Sequence, residues 1–317
     1  MASSDYTVIG ANLRAVADAI RAKTGQAGLI SPDQMAAAIA AIPSGGGGKL
    51  ASVVDGTVTE ITAEDLAGAT FIKDYSFRNC SALESVVIPD GVTTINTEAF
   101  YKCTGLKSVI IPNSVTSIGD YSFMYCSSLE NIVIPGSVTY IGVDAFAFCS
   151  SLKSVTFEDG NGLEMRSEAF SNCTSLETIN WPQTSVSIKD VFRKCTALTT
   201  LVIPSNVEFS SSMYAFQNCT SLINLEIGSP DIPRNTFTGC TALSKIWLRS
   251  SVNTIQLYTQ GSSVGKTGPF YNSSASATLY CEPASKPSGW ETGFNLYSGT
   301  VDNVTLTTVY NQTSRPF

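Results

Sequence analysis

The string Phe-x-x-Cys-x-x-Leu occurs eight times in this chain of 317 residues. The first four copies are Phe77/Cys80/Leu83, Phe100/Cys103/Leu106, Phe123/Cys126/Leu129 and Phe146/Cys149/Leu152. Phe170/Cys173/Leu176, Phe192/Cys195/Leu198, Phe216/Cys219/Leu222 and Phe237/Cys240/Leu243 follow, with Phe-to-Phe spacings of 23, 23, 23, 24, 22, 24 and 21. Self-similarity at a fixed short period means one supersecondary unit repeated, so the chain is predicted to stack as a solenoid.

The rest of the repeat supplies the strand. After each Leu comes a short alternating run such as Ser85-Val86-Val87-Ile88-Pro89, often followed by Val-Thr-x-Ile, as at Val92 to Ile95, Val115 to Ile118 and Val138 to Ile141. Strand side chains alternate faces, so Val86 and Ile88 are predicted to point inward and Ser85 and Val87 outward. Pro89 ends the strand because it has no N–H to donate to a ladder. A single repeat cannot bury its own apolar face, and stacked neighbours cover it. With strands ~4.8 Å apart, eight repeats predict a body on the order of 40 Å long.

Phe-x-x-Cys-x-x-Leu followed by Ser-Val-x-Ile-Pro and Val-Thr-x-Ile resembles the BspA-type leucine-rich repeat family, over roughly residues 50 to 300. The expected fold is therefore a β-rich solenoid of the leucine-rich-repeat type, with ~23-residue repeats over residues 49–250. Members of that family are surface-exposed bacterial, protist and phage-encoded proteins, so the resemblance implies adhesion or recognition. The segment Leu279 to Trp290 resembles the closing segment that follows such arrays. Residues 251–317 are read as a degenerate last repeat plus a C-terminal cap, in which Val301 to Tyr310 alternates like a strand.

The first 43 residues differ in kind. Leu13, Val16, Ala17 and Ile20 fall at i, i+3, i+4 and i+7, which predicts an amphipathic helix ending near Gly25. Ser31 and Pro32 cap a second helix with Met35, Ile39 and Ile42 on one side, and Pro43 stops it. Ser44 to Gly48 reads as a flexible linker. Asn12 to Gly25 resembles a short helical module of phage structural proteins, which implies that residues 1–43 are an attachment module. Two short helices bury too little surface alone. Their stripes, at Leu13, Val16 and Ile20 and at Met35, Ile39 and Ile42, are expected to be covered by another chain, either a virion protein or a second copy.

Charge and chemistry narrow the function. The net charge is −7 with 14% charged residues. Nucleic-acid and anionic-membrane partners, which need clustered Lys and Arg, are not expected. The first residues lack the features of a secretory signal, and no stretch approaches the ~18 apolar residues of a membrane span. That reading leaves the chain in the cytoplasm, where virions assemble. Eight of nine cysteines share one phase of the repeat, which predicts an inward column of buried, reduced thiols. Without His or C-x-x-C, no metal or cofactor site is expected, and parallel Cβ vectors disfavour disulfides. Cys281 lies outside that phase. The absence of His also removes the commonest general base. Glu84, Glu130, Glu177 and Glu226 read as solvated surface rather than a glycosidase pair. Gly45 to Gly48 lacks the context of a phosphate loop. The chain is read as a non-enzyme.

Binding is the better prospect. The outward position between the two inward strand residues runs Val87, Ile110, Val133, Thr156, Asn180, Val202, Glu226 and Trp247 along the repeats. Its neighbour column ends in Asn224 and Lys245. An exposed Trp247 beside Glu226 and Lys245, continuing through Thr156, Asn180 and Asn224, is the composition of a sugar or protein contact site. The competing expectation is that Trp247 packs against the C-terminal cap. Tyr101 and Tyr125, with Phe148, form a second candidate patch, or else a plain stack of rings. The favoured function is a phage tail-tip or tail-fibre protein that binds host glycan or protein. The alternative is a bacterial cell-surface adhesin, and a polysaccharide depolymerase is a weaker third reading.

Overall fold

A computed structural model describes residues 58–210 and 214–252, and then 254–255, 258–260, 264–267, 269–270, 273, 276–281 and 305–309. The expected helical module, its linker and most of the C-terminal cap lie outside the described residues. So do all six proposed attachment residues.

Each repeat contributes two strands, one to each side of a flattened coil. The first side begins with β1 (Glu60–Ile61), β3 (Ser85–Val87) and β5 (Ser108–Ile110) and continues with β7 (Asn131–Ile134), β9 (Ser154–Phe157) and β11 (Thr178–Asn180). It ends with β13 (Thr200–Ile203), β15 (Asn224–Ile227), β17 (Lys245–Leu248), β21 (Ser276–Cys281) and β22 (Thr305–Val309). All pairings on this side are parallel and in register, as in Ser85↔Ser108 and Val86↔Val109. The ladder is interrupted between β5 and β7 and between β11 and β13. At the second break, Trp181 follows β11 and its indole Nε1 donates to the Val202 carbonyl at 2.7 Å.

The other side is the Val-Thr-x-Ile run. It forms a continuous seven-stranded parallel sheet from β2 (Phe71–Ile72), β4 (Thr94–Ile95), β6 (Ser117–Ile118) and β8 (Tyr140–Ile141) to β10 (Leu163–Met165), β12 (Val186–Ile188) and β14 (Val207–Phe209). β16 (Asp231–Ile232) and β18 (Thr254–Ile255) pair with each other beyond it. Parallel strands covered by neighbours on both edges suit this coil, because each repeat leaves its ladder open for the next.

Between the sheets the Phe-x-x-Cys-x-x-Leu segment makes the turn. Alternate N–H groups bond within the turn, as Cys80 N–H does to the Phe77 carbonyl. The others reach the following repeat: Tyr75, Phe77 and Asn79 donate to the carbonyls of Thr97, Ala99 and Tyr101. This geometry requires left-handed backbone two residues either side of Phe, as at Glu98 (φ 52°) and Lys102 (φ 57°). Such φ values cost non-glycine residues ~1–2 kcal/mol each, a strain the ladder offsets. Turns also approach closely elsewhere. A Cβ on Gly160 would overlap the backbone of Gly136.

The core is built from columns. The eight Phe rings stack with centroids 5.0–5.6 Å apart and planes within 13° of parallel, and all are buried. Phe270 continues the stack onto Phe237 at 5.4 Å. The eight repeat thiols are free and buried, as the shared phase predicts. From Cys103 to Cys240, each Sγ–H donates to the Phe carbonyl of the preceding repeat at 3.0–3.4 Å. A Phe carbonyl thus accepts from its own turn and from the next thiol, which accounts for a small donor at this position. Burial pushes the Cys80 and Cys173 thiols up to about 12, so they hold their protons and are poor nucleophiles.

Beyond Phe237 the array continues where the sequence reads as degenerate. Phe270 follows Phe237 by 33 residues, and Ser273 takes the cysteine position. An antiparallel hairpin, β19 (Tyr258–Gln260) and β20 (Val264–Thr267), occupies the added length. β21 then pairs in register with β17, which places Cys281 opposite Leu248.

Candidate functional site

The outward face of β3 to β17 is the surface on which the predicted contact residues lie. Along β7 to β13 it carries paired polar side chains, with Val133 and Val202 exposed among them. Ser154 Oγ donates to Asn131 Oδ1 at 2.6 Å, and Asn180 Nδ2 donates to Thr156 Oγ1 at 3.1 Å. Farther along, Asn224 Nδ2 lies 3.5 Å from Thr200 Oγ1. Asn180 is exposed, while Thr156, Asn224 and Lys245 are half-buried. At the turn into these strands, Glu84 pairs with Lys107 and Glu130 with Lys153, each at 2.9 Å and well exposed.

Two predicted members of the face are placed differently. Trp247 is fully buried and Glu226 is 4% exposed. Arg249 lies across both: its Nε donates to Glu226 Oε1 at 2.7 Å, and its guanidinium is 5.9 Å from the Trp247 ring centroid. Strand alternation aims these side chains outward, but the face is closed over at this end. Trp247 offers no exposed ring for a sugar, and Glu226 is not solvated surface.

At the opposite end the face is apolar and open. Ile110 is 60% and Val133 48% exposed, with Val87 half-buried beside them. Together with the strand-ending Pro89, Pro112 and Pro135 they line a groove of about 450 Å³. Sequence reasoning noted the apolar stretch of this column yet placed the site at the polar end. The signal available was three successive apolar outward positions, each two residues before a Pro.

On the turn edge, Tyr101 and Tyr125 meet edge to face at 5.8 Å, and Tyr125 stacks on Phe148 at 4.7 Å. Arg78 sits 4.8 Å over Tyr101, and Lys102 lies near both tyrosines. Ring faces occupied by other rings and by cations are not platforms for a sugar, so this row reads as an internally satisfied stack. Next to it, Asp144 stands beside Asp120 and Glu168. Burial first, then the Glu168 charge, pushes its pKa up from 3.8 to about 6, against the pull of Arg193. Arg193 is held by Glu168 at 2.6 Å.

This raised value has a consequence for stability. Between its unfolded and folded pKa the folded chain holds the extra proton, so stability falls as pH rises from about 4 to about 6. Asp144→Asn is therefore expected to stabilise the protein at neutral pH by at most about 1 kcal/mol, discounted for partial exposure, and by less at about pH 4. Urea melts at the two pH values test this; an equal effect at both would refute it.

Among the described residues, no group of three or more His, Cys, Asp or Glu is placed to hold a metal ion. No described helix is long and apolar enough to cross a membrane.

Stacked parallel strands, a buried Phe–Cys–Leu turn and an exposed strand face define a leucine-rich-repeat solenoid. The chain belongs to the family described as BspA type leucine rich repeat region, whose family model matches residues 70–190 and 163–264. Among solved structures it is similar to a leucine-rich repeat protein from Bacteroides ovatus, at 24% identity and a TM-score of 0.47, over 67% of this chain and 59% of that one. A leucine-rich repeat protein of T. pallidum matches at 26% identity and a TM-score of 0.38, over 45% and 66% of the two chains. A leucine rich cell surface protein from Faecalibacterium prausnitzii matches at 25% identity and a TM-score of 0.25, over 61% and 73%. This chain thus spans less than two thirds of the first two proteins. A search of curated proteins finds no significant match.

Proposed function

We propose that the chain is a non-enzymatic recognition module, an adhesin-like protein of the bacterial cell surface, that binds host surface protein or glycan. The observation that carries this reading is the outward strand face from β7 to β13. On it Asn131 and Ser154, and Thr156 and Asn180, are held in hydrogen-bonded pairs across neighbouring strands, with Asn131 and Asn180 exposed. Preorganised polar groups on a rigid scaffold lose little entropy on binding. Family membership favours a surface adhesin. Placement on a phage tail rests on the resemblance of residues 12–25 alone, and the same strand face would serve there.

The test is a double variant, Thr156→Lys with Asn180→Lys. Binding to glycan arrays and to immobilised host surface proteins is expected to fall at least about tenfold, while the fold is kept at a cost of ~1–2 kcal/mol for the lost Thr156–Asn180 hydrogen bond and the two like charges set opposite each other. Unchanged binding by a folded variant would exclude this face.

A further inference from the structure

We propose that residues 12–23 of this same chain dock along the apolar groove at the start of the solenoid and cover it in cis. Four observations on the two surfaces agree, and none depends on which ligand the polar half of the face binds.

The first is shape. Val87, Ile110 and Val133 stand in one column on successive strands, so the exposed stripe from Val87 to Val133 is two strand spacings, ~10 Å, long. The sequence reads residues 12–23 as a helix with Leu13, Val16 and Ile20 on one face. Seven residues of helix rise ~10 Å, so that stripe matches the groove when the helix lies across the strands, parallel to the solenoid axis.

The second is charge. Asp90 and Glu158 follow β3 and β9 on one rim of the groove, both exposed, and its lining side chains include no Lys or Arg. Residues 12–23 carry Arg14, Arg21 and Lys23 against the single Asp18, in a chain whose net charge is −7. At 100° per residue, Arg14 and Arg21 fall on the same shoulder of the Leu13–Val16–Ile20 stripe, ~10 Å apart along the axis. That shoulder can face both rim carboxylates, which stand three strand spacings, ~14 Å, apart. Long arginine side chains close the difference.

The third is position. The described chain begins at Val58 and enters the array through β1, and Ala63, just after β1, is itself a lining residue. The segment therefore enters the fold beside the groove. The fourth is reach: more than thirty residues separate Ile20 from Val58, including the linker at residues 44–48, ample for a return of two or three strand spacings. Docking in cis gives the helix the apolar partner that a lone helix of this length lacks. It replaces the separate partner chain that the sequence alone suggested for this stripe.

Hydrogen exchange on the full-length protein tests the proposal. In a monomeric sample, amides of residues 13–22 are expected to exchange at least about tenfold more slowly than in Ile110→Asp or Leu13→Asp. Ile110 is 60% exposed, so its variant is expected to keep the wild-type melt of the repeats, and Leu13→Asp makes the test from the helix side. Protection in the wild type should persist on about a hundredfold dilution. Fast exchange in the wild type would overturn the proposal, as would protection that survives Ile110→Asp. Protection lost on dilution would overturn it too, because the occupant would then be a second copy.

Discussion

Phe146→Ala is expected to lower the unfolding free energy by ~3–5 kcal/mol, the usual cost of truncating a fully buried aromatic. Phe146 has rings on both sides, Phe123 and Phe170, each with centroids 5.0 Å away and planes nearly parallel. Removing it opens a gap in the middle of a column, and neither neighbour can collapse into it, because each is fixed by its own turn ladder. Phe146 N–H donates to the Ala169 carbonyl, and its own carbonyl accepts from the Cys173 thiol at 3.3 Å. The backbone is thereby pinned at the repeat spacing, and the cavity stays. In a stack whose stability is a sum of repeat and interface terms, one missing ring weakens two interfaces at once. The control is Thr156→Ala on the outward face, expected to stay within ~0.5 kcal/mol apart from its hydrogen bond to Asn180. Chemical denaturation of the two variants decides; comparable losses would contradict the inward assignment of the Phe column.

The Phe, Cys and Leu columns were legible because a buried position that recurs every turn tolerates few residue types, and the spacing shows it directly. The phase of the strands was legible for the same reason: Val86, Ile132 and Val155 are buried and Ile110, Val133 and Asn180 exposed, as alternation requires. The second sheet was visible only as a recurring Val-Thr-x-Ile. Strands of two residues, such as Thr94–Ile95, are too short to display a period. The ninth rung was hidden for another reason. A hairpin insertion stretches its spacing, and Ser273 replaces the cysteine, so pattern matching stops one turn early. Left-handed backbone at Glu98, Lys102 or Phe148 had no local signature, because a ladder between repeats imposes it on residues that do not favour it. The candidate site was half legible. Alternation tells which way a side chain points and says nothing about whether other chain covers that face. Val133 and Trp247 occupy equivalent positions, and one is open while the other is sealed.

That sealed position sets the second large effect. Trp247→Ala is expected to cost ~3–5 kcal/mol, since the indole is wholly buried. The loss should be local. Trp247 stands in register between Glu226 on β15 and Tyr280 on β21, so the hole opens at the junction of the eighth and ninth rungs. Arg249, which spans Trp247 and the buried Glu226 carboxylate, loses the ring it packs beside, and water gains a path to that ion pair. Repeat proteins unravel from a weakened end, so the variant should melt in two steps: the rungs beyond β15 first, and the Phe77 to Phe192 stack near the wild-type midpoint. Trp247→Phe, which keeps most of the volume, should cost less than ~1.5 kcal/mol and retain a single transition. Binding separates this account from a contact role. If recognition uses the Asn131 to Thr200 ladder, Trp247→Ala protein below its first transition should bind like wild type. A variant that melts like wild type and no longer binds would return Trp247 to the contact surface.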